Sequence, residues 1–388
     1  MFVGEKLTNM RLLHGFSRQE LANNLGITEQ AVWQYENGYT TPGLETINKM
    51  RKLFNIKAKF LYSPDFITNQ IAENNIAYRA SERSSRKKAK AESIHLEYLN
   101  VMLDFIEKYI AYPPNLLIEI RNESINLQNE NEKKGIPKEK TIEQISLLTR
   151  ERIGLNKEDN EDFLFLLEKS GAFIFEKALG EEVDAYSVWS NQDRPFIMLS
   201  NIKKSSSRRN FDLAHELGHL ILHHRIDIFE LEPKEFEQVE KEANLFASNF
   251  LLPGKEYLRD LKHIQRKSNP KSYIDLKKKW NVSIAAMGRR AYSFREIDYQ
   301  QYRYFNALLN KYEFKHKEPL DDELVIMRPG KIRHSLKFVL EKKLCSISDI
   351  INHTNFEVEL LSYLFNIEEE FFNKYLTEPK VYEFTPKF

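Results

Sequence analysis

The chain has 388 residues, a formal net charge of +1 at pH 7 and one cysteine, Cys345. This length exceeds what one ordinary hydrophobic core organises, so two or three domains are expected. Because the net charge is close to zero, any affinity for nucleic acid must come from local basic patches. A single cysteine excludes a disulfide framework and a cysteine-ligated zinc, so a metal site here must use histidines and carboxylates.

The composition is typical of globular domains, with 41% hydrophobic and 12% aromatic residues. The N-terminus contains no apolar segment of the signal-peptide type, and no stretch reaches the ~18 apolar residues of a membrane span. These features predict a cytoplasmic protein that does not enter a membrane.

Residues 1–66 show a series of short helical patterns with clear start and stop signals. Ser17 and Thr28 are predicted N-caps, and Gly26 is predicted to end the helix between them. This pattern is typical of a helix-turn-helix, with 28–37 as the recognition helix. Glutamines on the outer face of such a helix suit contacts to adenine in the major groove.

Through the pattern S-x-x-E-L-A…G-I-T…Y-E-N-G, residues 4 to about 63 resemble the XRE class of phage-repressor-like DNA-binding domains. The resemblance implies a five-helix fold that binds operator DNA as a homodimer, with a buried ion pair between Arg11 and Glu36. The DNA contacts that it implies are Arg18, Thr28, Gln30 and Gln34, with Glu29 and Trp33 as additions. The alternative is that this module mediates only protein contacts.

The next region, 67–140, is predicted to be a helical linker with a polar loop at 122–140. Short aromatic and β-branched runs follow at 172–176, 184–190 and 195–200, and they predict a small sheet. The last two runs are separated by a plausible hairpin connection. A small sheet followed directly by a helix suggests an α+β domain.

The stretch FDLAHELGHLILHH, 211–224, places His215 and His219 four residues apart, so one metal ion can bind both on one helix face. Glu216 projects beside them and is placed to act as a general base toward a metal-bound water, as the H-E-x-x-H motif provides for zinc. A third ligand is expected from the helix predicted over 237–253. The candidates there are Glu237, Glu240 and Glu242.

His223 is an alternative third ligand, but a straight helix does not wrap three histidines around one ion. We therefore expect His223 to pack or to form a hydrogen bond near the site. Nothing in the spacing alone decides among the three glutamates.

The segments DAYSVW, FDLAHELGHLILH and EKEANLFASNFLLP, between about 170 and 253, together resemble the ImmA/IrrE family of zinc metallopeptidases. The resemblance implies that His215, His219 and Glu242 bind Zn²⁺ and that Glu216 is the catalytic base. It further implies that 195–200 is an edge strand that pairs with an extended substrate. Members of this family are associated with cleavage of XRE-type repressors, which implies a protein substrate of that kind.

The sequence therefore predicts a multidomain, mainly α protein. The predicted domains are a helix-turn-helix domain at 1–66, a helical linker at 67–140, an α+β zincin-like peptidase domain at 141–295 and a mostly helical domain at 296–388. In the last of these, 345–367 is predicted to be a second helix-turn-helix-like unit that serves protein contacts or dimerisation.

The function predicted from the sequence is a DNA-binding regulator with a zinc-dependent endopeptidase domain that cleaves a repressor-type protein. Self-cleavage in the polar loop at 126–140 or in the linker near 81–90 is a variant of this hypothesis. The alternative is a non-enzymatic transcription factor, or an antitoxin-like autoregulator, whose metal domain senses a signal or docks a partner.

Overall fold

A computed structural model describes residues 1–376 except 66, 68, 74, 75, 77–82, 181, 182, 203, 204, 225, 228 and 229. The proposed cleavage region near 81–90 therefore lies partly outside the described residues. None of the described helices is long and apolar enough to cross a membrane.

Short helices follow one another at the N-terminus. They are α1 (Gly4–Leu13), α2 (Arg18–Leu25), α3 (Glu29–Glu36), α4 (Leu44–Phe54) and a 3₁₀ helix at Ala58–Tyr62. The Ser17 hydroxyl accepts a hydrogen bond from the Glu20 N–H, and the Glu20 carboxylate accepts one from the Ser17 N–H, which fixes the start of α2. Gly26 then ends the helix with φ at 69°, where a side chain would be strained. The predicted helix-turn-helix fold is confirmed.

The middle of the chain adds helices and one sheet. The helices are α5 (Arg83–Ile106), α6 (Leu116–Lys133), α7 (Lys138–Arg152), α8 (Phe163–Lys169), α9 (Ser206–Leu222), α10 (Pro233–Leu251) and α11 (Gly254–Leu261). The strands are β1 (Phe173–Lys177), β2 (Ala185–Trp189) and β3 (Pro195–Ser200). They form a sheet in the order β1-β3-β2, in which β3 runs parallel to β1 and antiparallel to β2.

The remaining described chain is helical. It comprises a 3₁₀ helix at Pro270–Tyr273 and the helices α12 (Ile274–Trp280), α13 (Ile284–Ser293), α14 (Tyr299–Lys311), α15 (Lys331–Glu341), α16 (Ile347–Thr354), α17 (Val358–Phe365) and α18 (Glu369–Asn373). The predicted fold class, mainly α with a small sheet in a central domain, is confirmed.

The chain divides into two compact units. The first unit contains α1–α5 and the helices from Ile332 onward, and the second runs from Tyr112 to Lys331. Long α5 thus belongs with the N-terminal helices, and α6 belongs with the sheet. The four domain ranges predicted from the sequence stay predictions.

Two expectations from the sequence are wrong. Strand β3 lies in the centre of the sheet, because all six of its residues are buried and both of its edges pair, with β1 and with β2. The polar stretch 122–140 is not a loop, since α6 continues to Lys133. The buried residues of α6 recur at helical spacing, at Leu117, Ile120, Ser124 and Asn131. The Asn131 amide donates hydrogen bonds to Thr141 and Gln144.

Helices α16 and α17, in the first unit, match α2 and α3 in length, eight residues each, and α16 has the same kinds of cap as α2. Ser346 caps α16 as Ser17 caps α2, and the left-handed Asn355 ends α16 at the position that corresponds to Gly26. Unlike α3, helix α17 buries most of its side chains, so it serves packing. The prediction that 345–367 is a second helix-turn-helix-like unit for protein contacts or dimerisation stays a prediction.

The turn after α16 pairs with the turn after α4. The Lys57 N–H donates to the Asn355 oxygen at 2.8 Å, and the Glu357 N–H donates to the Asn55 oxygen at 2.9 Å. Between them, the fully buried Phe356 ring lies 5.5 Å from Phe60 and 5.4 Å from Tyr98, centre to centre. The C-terminal helices thus complete the core beneath the N-terminal helices.

We expect Phe356→Ala to destabilise the first unit by about 3–5 kcal/mol, because it leaves a cavity in this shared core. The midpoint temperature of thermal unfolding should fall, and hydrogen–deuterium exchange should accelerate in peptides from α4 and α17. The control is Phe338→Ala, since Phe338 is 50% exposed in the same unit, and it should change stability by no more than about 0.5 kcal/mol. Equal effects of both substitutions would contradict this packing.

Candidate functional site

Helices α9 and α10 carry the candidate metal centre and pack closely against each other. Gly218 makes this possible: a Cβ at this position would lie 3.1–3.3 Å from side-chain atoms of Phe246 on α10. Leu213, Ala214 and Leu217 on α9 are buried in the core of the second unit. The apolar face of α9 therefore fixes which way its polar face points.

That packing brings one carboxylate of α10 to both histidines of the H-E-x-x-H motif. Glu240 lies 3.6 Å from His215 Nε2 and 3.2 Å from His219 Nε2. The two Nε2 atoms lie 2.9 Å apart. Ligand atoms of these three residues all fall within 4.8 Å of one another, as a shared metal ion requires.

The other two glutamate candidates lie elsewhere. Glu237 is exposed and pairs with Lys241 on its own helix. Glu242 is buried and pairs with His223 at 3.2 Å and with Lys138 at 2.6 Å. The structure thus brings Glu240 together with the two histidines, while the assignment of Glu242 from the family resemblance stays a prediction.

Two residues that the sequence analysis did not single out support the motif. The Asn244 side-chain oxygen lies 3.2 Å from His215 Nδ1, on the far side of the ring from Glu240. Asn244 and Glu240 are four residues apart on α10, so they share a helix face. The Ser187 hydroxyl of β2 lies 2.7 Å from Glu216 Oε2 and 3.1 Å from the Glu216 main-chain oxygen.

Burial sets the protonation of the site. It raises the pKa of Glu216 to about 7, while His215 and the Ser187 hydrogen bond act in the opposite direction. Burial also lowers the pKa of His219 to about 4, so its ring is neutral at physiological pH. For Glu240 burial acts to raise the pKa, but hydrogen bonds from His215 and His219 hold it well below its usual range.

A cavity adjoins this cluster. Besides His215, Glu216, His219 and Glu240, it is lined by Val183, Asp184, Ala185 and Asp212. Ala185 begins β2, which lies at the edge of the sheet. The central strand β3 does not contribute to the lining of this cavity.

The recognition helix α3 presents its predicted reading face to solvent. Glu29 and Gln30 are exposed, Gln34 is half-buried, and Val32 and Glu36 face the core. Thr28 caps the helix, because its hydroxyl accepts from the Ala31 N–H at 3.1 Å. The helix therefore turns its polar side outward and its apolar side inward, as reading a groove requires.

The flanks of α3 contain an ion-pair network and an aromatic pair. Glu36 accepts hydrogen bonds at 2.5 Å from Arg11 Nε and from Arg18 Nε, so the expected Arg11–Glu36 pair also engages Arg18. Trp33 is 42% exposed, and its ring stacks 5.1 Å from that of Tyr39. Tyr39 was not singled out from the sequence, because nothing in the spacing places it beside Trp33.

Comparisons with known proteins agree with both halves of this description. The helix-turn-helix family model matches residues 7–61, and the IrrE N-terminal-like domain model, of the M78 peptidase family, matches residues 167–292. A relative is the prophage-derived HTH-type transcriptional regulator YonR of Bacillus subtilis, 38% identical over 58 residues, which are 15% of this chain and 54% of YonR. Another is the HTH-type transcriptional regulator MJ0272 of Methanocaldococcus jannaschii, 34% identical over 62 residues, which are 16% of this chain and 94% of that protein.

The chain thus spans about half the length of YonR and nearly all of MJ0272. It belongs to the XRE-type helix-turn-helix transcriptional regulators. In this chain that domain is fused to an M78 peptidase-like domain of the IrrE/ImmA kind. Both resemblances identified from the sequence are confirmed at this level.

Proposed function

We propose that this regulator is a zinc-dependent endopeptidase that binds operator DNA and cleaves a repressor-type protein. The observation that carries the proposal is the convergence of His215, His219 and Glu240 beside the buried base Glu216. Two imidazole nitrogens and one carboxylate oxygen are a donor set that suits catalytic zinc and leaves a coordination position open. This set follows the geometry, and it differs from the family-implied set in its third ligand.

The neutral His219 ring and the ionised Glu240 are in the protonation states that metal ligands need. When bound, zinc would supply a Lewis acid that polarises a peptide carbonyl and favours ionisation of water.

The residues of the chain itself then have distinct roles. Glu216 accepts the proton of the attacking water and returns it to the leaving amine, a task that suits a carboxylate whose pKa is near 7. Ser187 holds that carboxylate through its hydrogen bond. The edge of β2 offers main-chain groups to an extended substrate, with Ala185 lining the cavity beside the cluster.

The DNA-binding half uses the outward face of α3. Gln30 and Gln34 are placed to form paired hydrogen bonds with adenine in the major groove, while Thr28 and Arg18 contact phosphates. Glu29 and Trp33 lie on the same face and complete the contact surface. Because one module is close to neutral in charge, a homodimer on two half-sites gives the required affinity.

The substrate class follows from the pairing of the two domains in one chain. A peptidase fused to an operator-binding domain acts in regulation, so we infer an XRE-type repressor as substrate, cleaved in response to phage, stress or a toxin–antitoxin-like signal. A copy of this chain is a second substrate of the same class. The IrrE-like family match supports this inference.

We expect Glu216→Gln to abolish cleavage while zinc binding and DNA binding persist, because the substitution removes the base without altering the ligands. The measurement is the cleavage of a purified repressor encoded beside this gene, with zinc content determined in parallel. Glu237→Gln, an exposed change on α10, is the control and should cleave as the parent protein does. Cleavage by Glu216→Gln equal to that by the parent would show that Glu216 is not the base. A parent protein that cleaves nothing would favour the non-enzymatic transcription factor with a metal-sensing domain.

We expect Gln30→Ala and Gln34→Ala each to weaken operator binding about tenfold or more, because a paired contact to a base contributes about 1–3 kcal/mol of discrimination. Fluorescence anisotropy on operator DNA at fixed salt measures this, and binding to unrelated DNA should change little. Gln128→Ala, on α6 of the second unit, is the matched control. An unchanged operator affinity in both variants would show that α3 does not read bases.

A further inference from the structure

A polar chain runs from His219 through His223 and Glu242 to the exposed Lys138, and it links α9, α10 and α7. His219 Nδ1 lies 3.1 Å from His223 Nδ1. His223 Nε2 lies 3.2 Å from Glu242 Oε2, and both side chains are only 7% exposed. Glu242 Oε1 then accepts from Lys138 Nζ at 2.6 Å and from Gln238 Nε2 at 2.8 Å.

We propose that His223 is a positioning residue for the metal centre, which accepts the Nδ1–H of His219 and is itself held by Glu242. The proposal rests on the proposed function, since it assumes that His219 binds a metal through Nε2. It gives Glu242 a role outside the ligand set. It also explains why a third histidine follows the motif.

With a metal ion bound to His219 Nε2, the hydrogen-bond geometry permits one consistent placement of protons. Nε2 faces His215 and Glu240 and would give its lone pair to the metal, so the proton of the His219 ring would reside on Nδ1. His223 must then accept at Nδ1 and carry its own proton on Nε2. That proton points to the Glu242 carboxylate, which accepts it, so every donor in the chain meets an acceptor.

The charge of Glu242 makes this chain stronger than a neutral contact. The Glu242 oxygens accept hydrogen bonds from His223 and Gln238 and form an ion pair with the cationic Lys138. An ionised acceptor polarises His223, which becomes a better acceptor for His219. Such outer partners fix ring orientation and raise the basicity of a metal-binding histidine.

The two ligand histidines are therefore supported differently. His215 Nδ1 meets the neutral amide oxygen of Asn244, whereas His219 is connected through His223 to a carboxylate. His223 can do this because α9 ends at Leu222, so His223 leaves the helical path with φ at −117° and turns back toward His219.

The test is the zinc affinity of the full chain, measured by competition with a chromophoric chelator. His223→Phe keeps the ring volume but cannot accept the His219 proton, and we expect zinc binding about 10–100-fold weaker than in the parent protein. His223→Asn places an oxygen where Nδ1 was, and it should bind zinc more tightly than His223→Phe. Glu242→Gln should weaken zinc binding yet keep one zinc per chain. Glu240→Gln should bind zinc more than about 100-fold more weakly than the parent protein.

Glu237→Gln, the same chemical change at an exposed position of α10, should leave the affinity unchanged. Circular dichroism of the metal-free proteins verifies folding. If His223→Phe does not fold, the zinc affinities of His223→Asn and Glu242→Gln test the positioning role instead. Equal zinc affinity of His223→Phe and the parent would overturn the positioning role while the metal centre stands. If Glu242→Gln lost zinc as completely as Glu240→Gln, Glu242 would be a ligand, and the positioning role of His223 would be overturned too. A parent protein that binds no zinc would overturn the proposed function itself.

Discussion

The close packing of α9 against α10 is the constraint on which the candidate site depends. Gly218 leaves no side chain where the Phe246 ring approaches, so the two helices meet at a distance that lets Glu240 reach both histidines. A Cβ there would push against a fully buried ring in the core. The two histidines and Glu216 thus lie together on one helix, but the third donor, Glu240, reaches them because Gly218 and Phe246 pack closely.

The polar residues of the candidate site have different roles. His215, His219 and Glu240 supply donor atoms, and Glu216 stands beside them as a base held by Ser187. Beyond these, Asn244 and the pair of His223 with Glu242 face the outer nitrogens of the rings. Burying so many polar groups costs stability unless each is paired, which the described contacts accomplish.

The sequence predicts well what local spacing determines. The turn at Gly26, the caps at Ser17 and Thr28, and the shared face of His215 and His219 all depend on residues within one or two turns. The choice among three glutamates depends instead on how two helices cross, which spacing cannot provide. The same reason explains the misplaced edge strand, because strand order within a sheet is set by tertiary pairing and not by the composition of 195–200. Ser187 and Tyr39 gave no sequence signal, since each meets its partner only in the folded chain.

The most direct measurement of the central claim is anomalous diffraction at the zinc absorption edge from crystals of the full chain grown with zinc. We expect one anomalous peak at about 2.0–2.2 Å from His215 Nε2, His219 Nε2 and a Glu240 oxygen. Glu242 should remain bonded to His223 in that structure. A peak ligated by Glu242 in place of Glu240, or no peak at the two histidines, would contradict it.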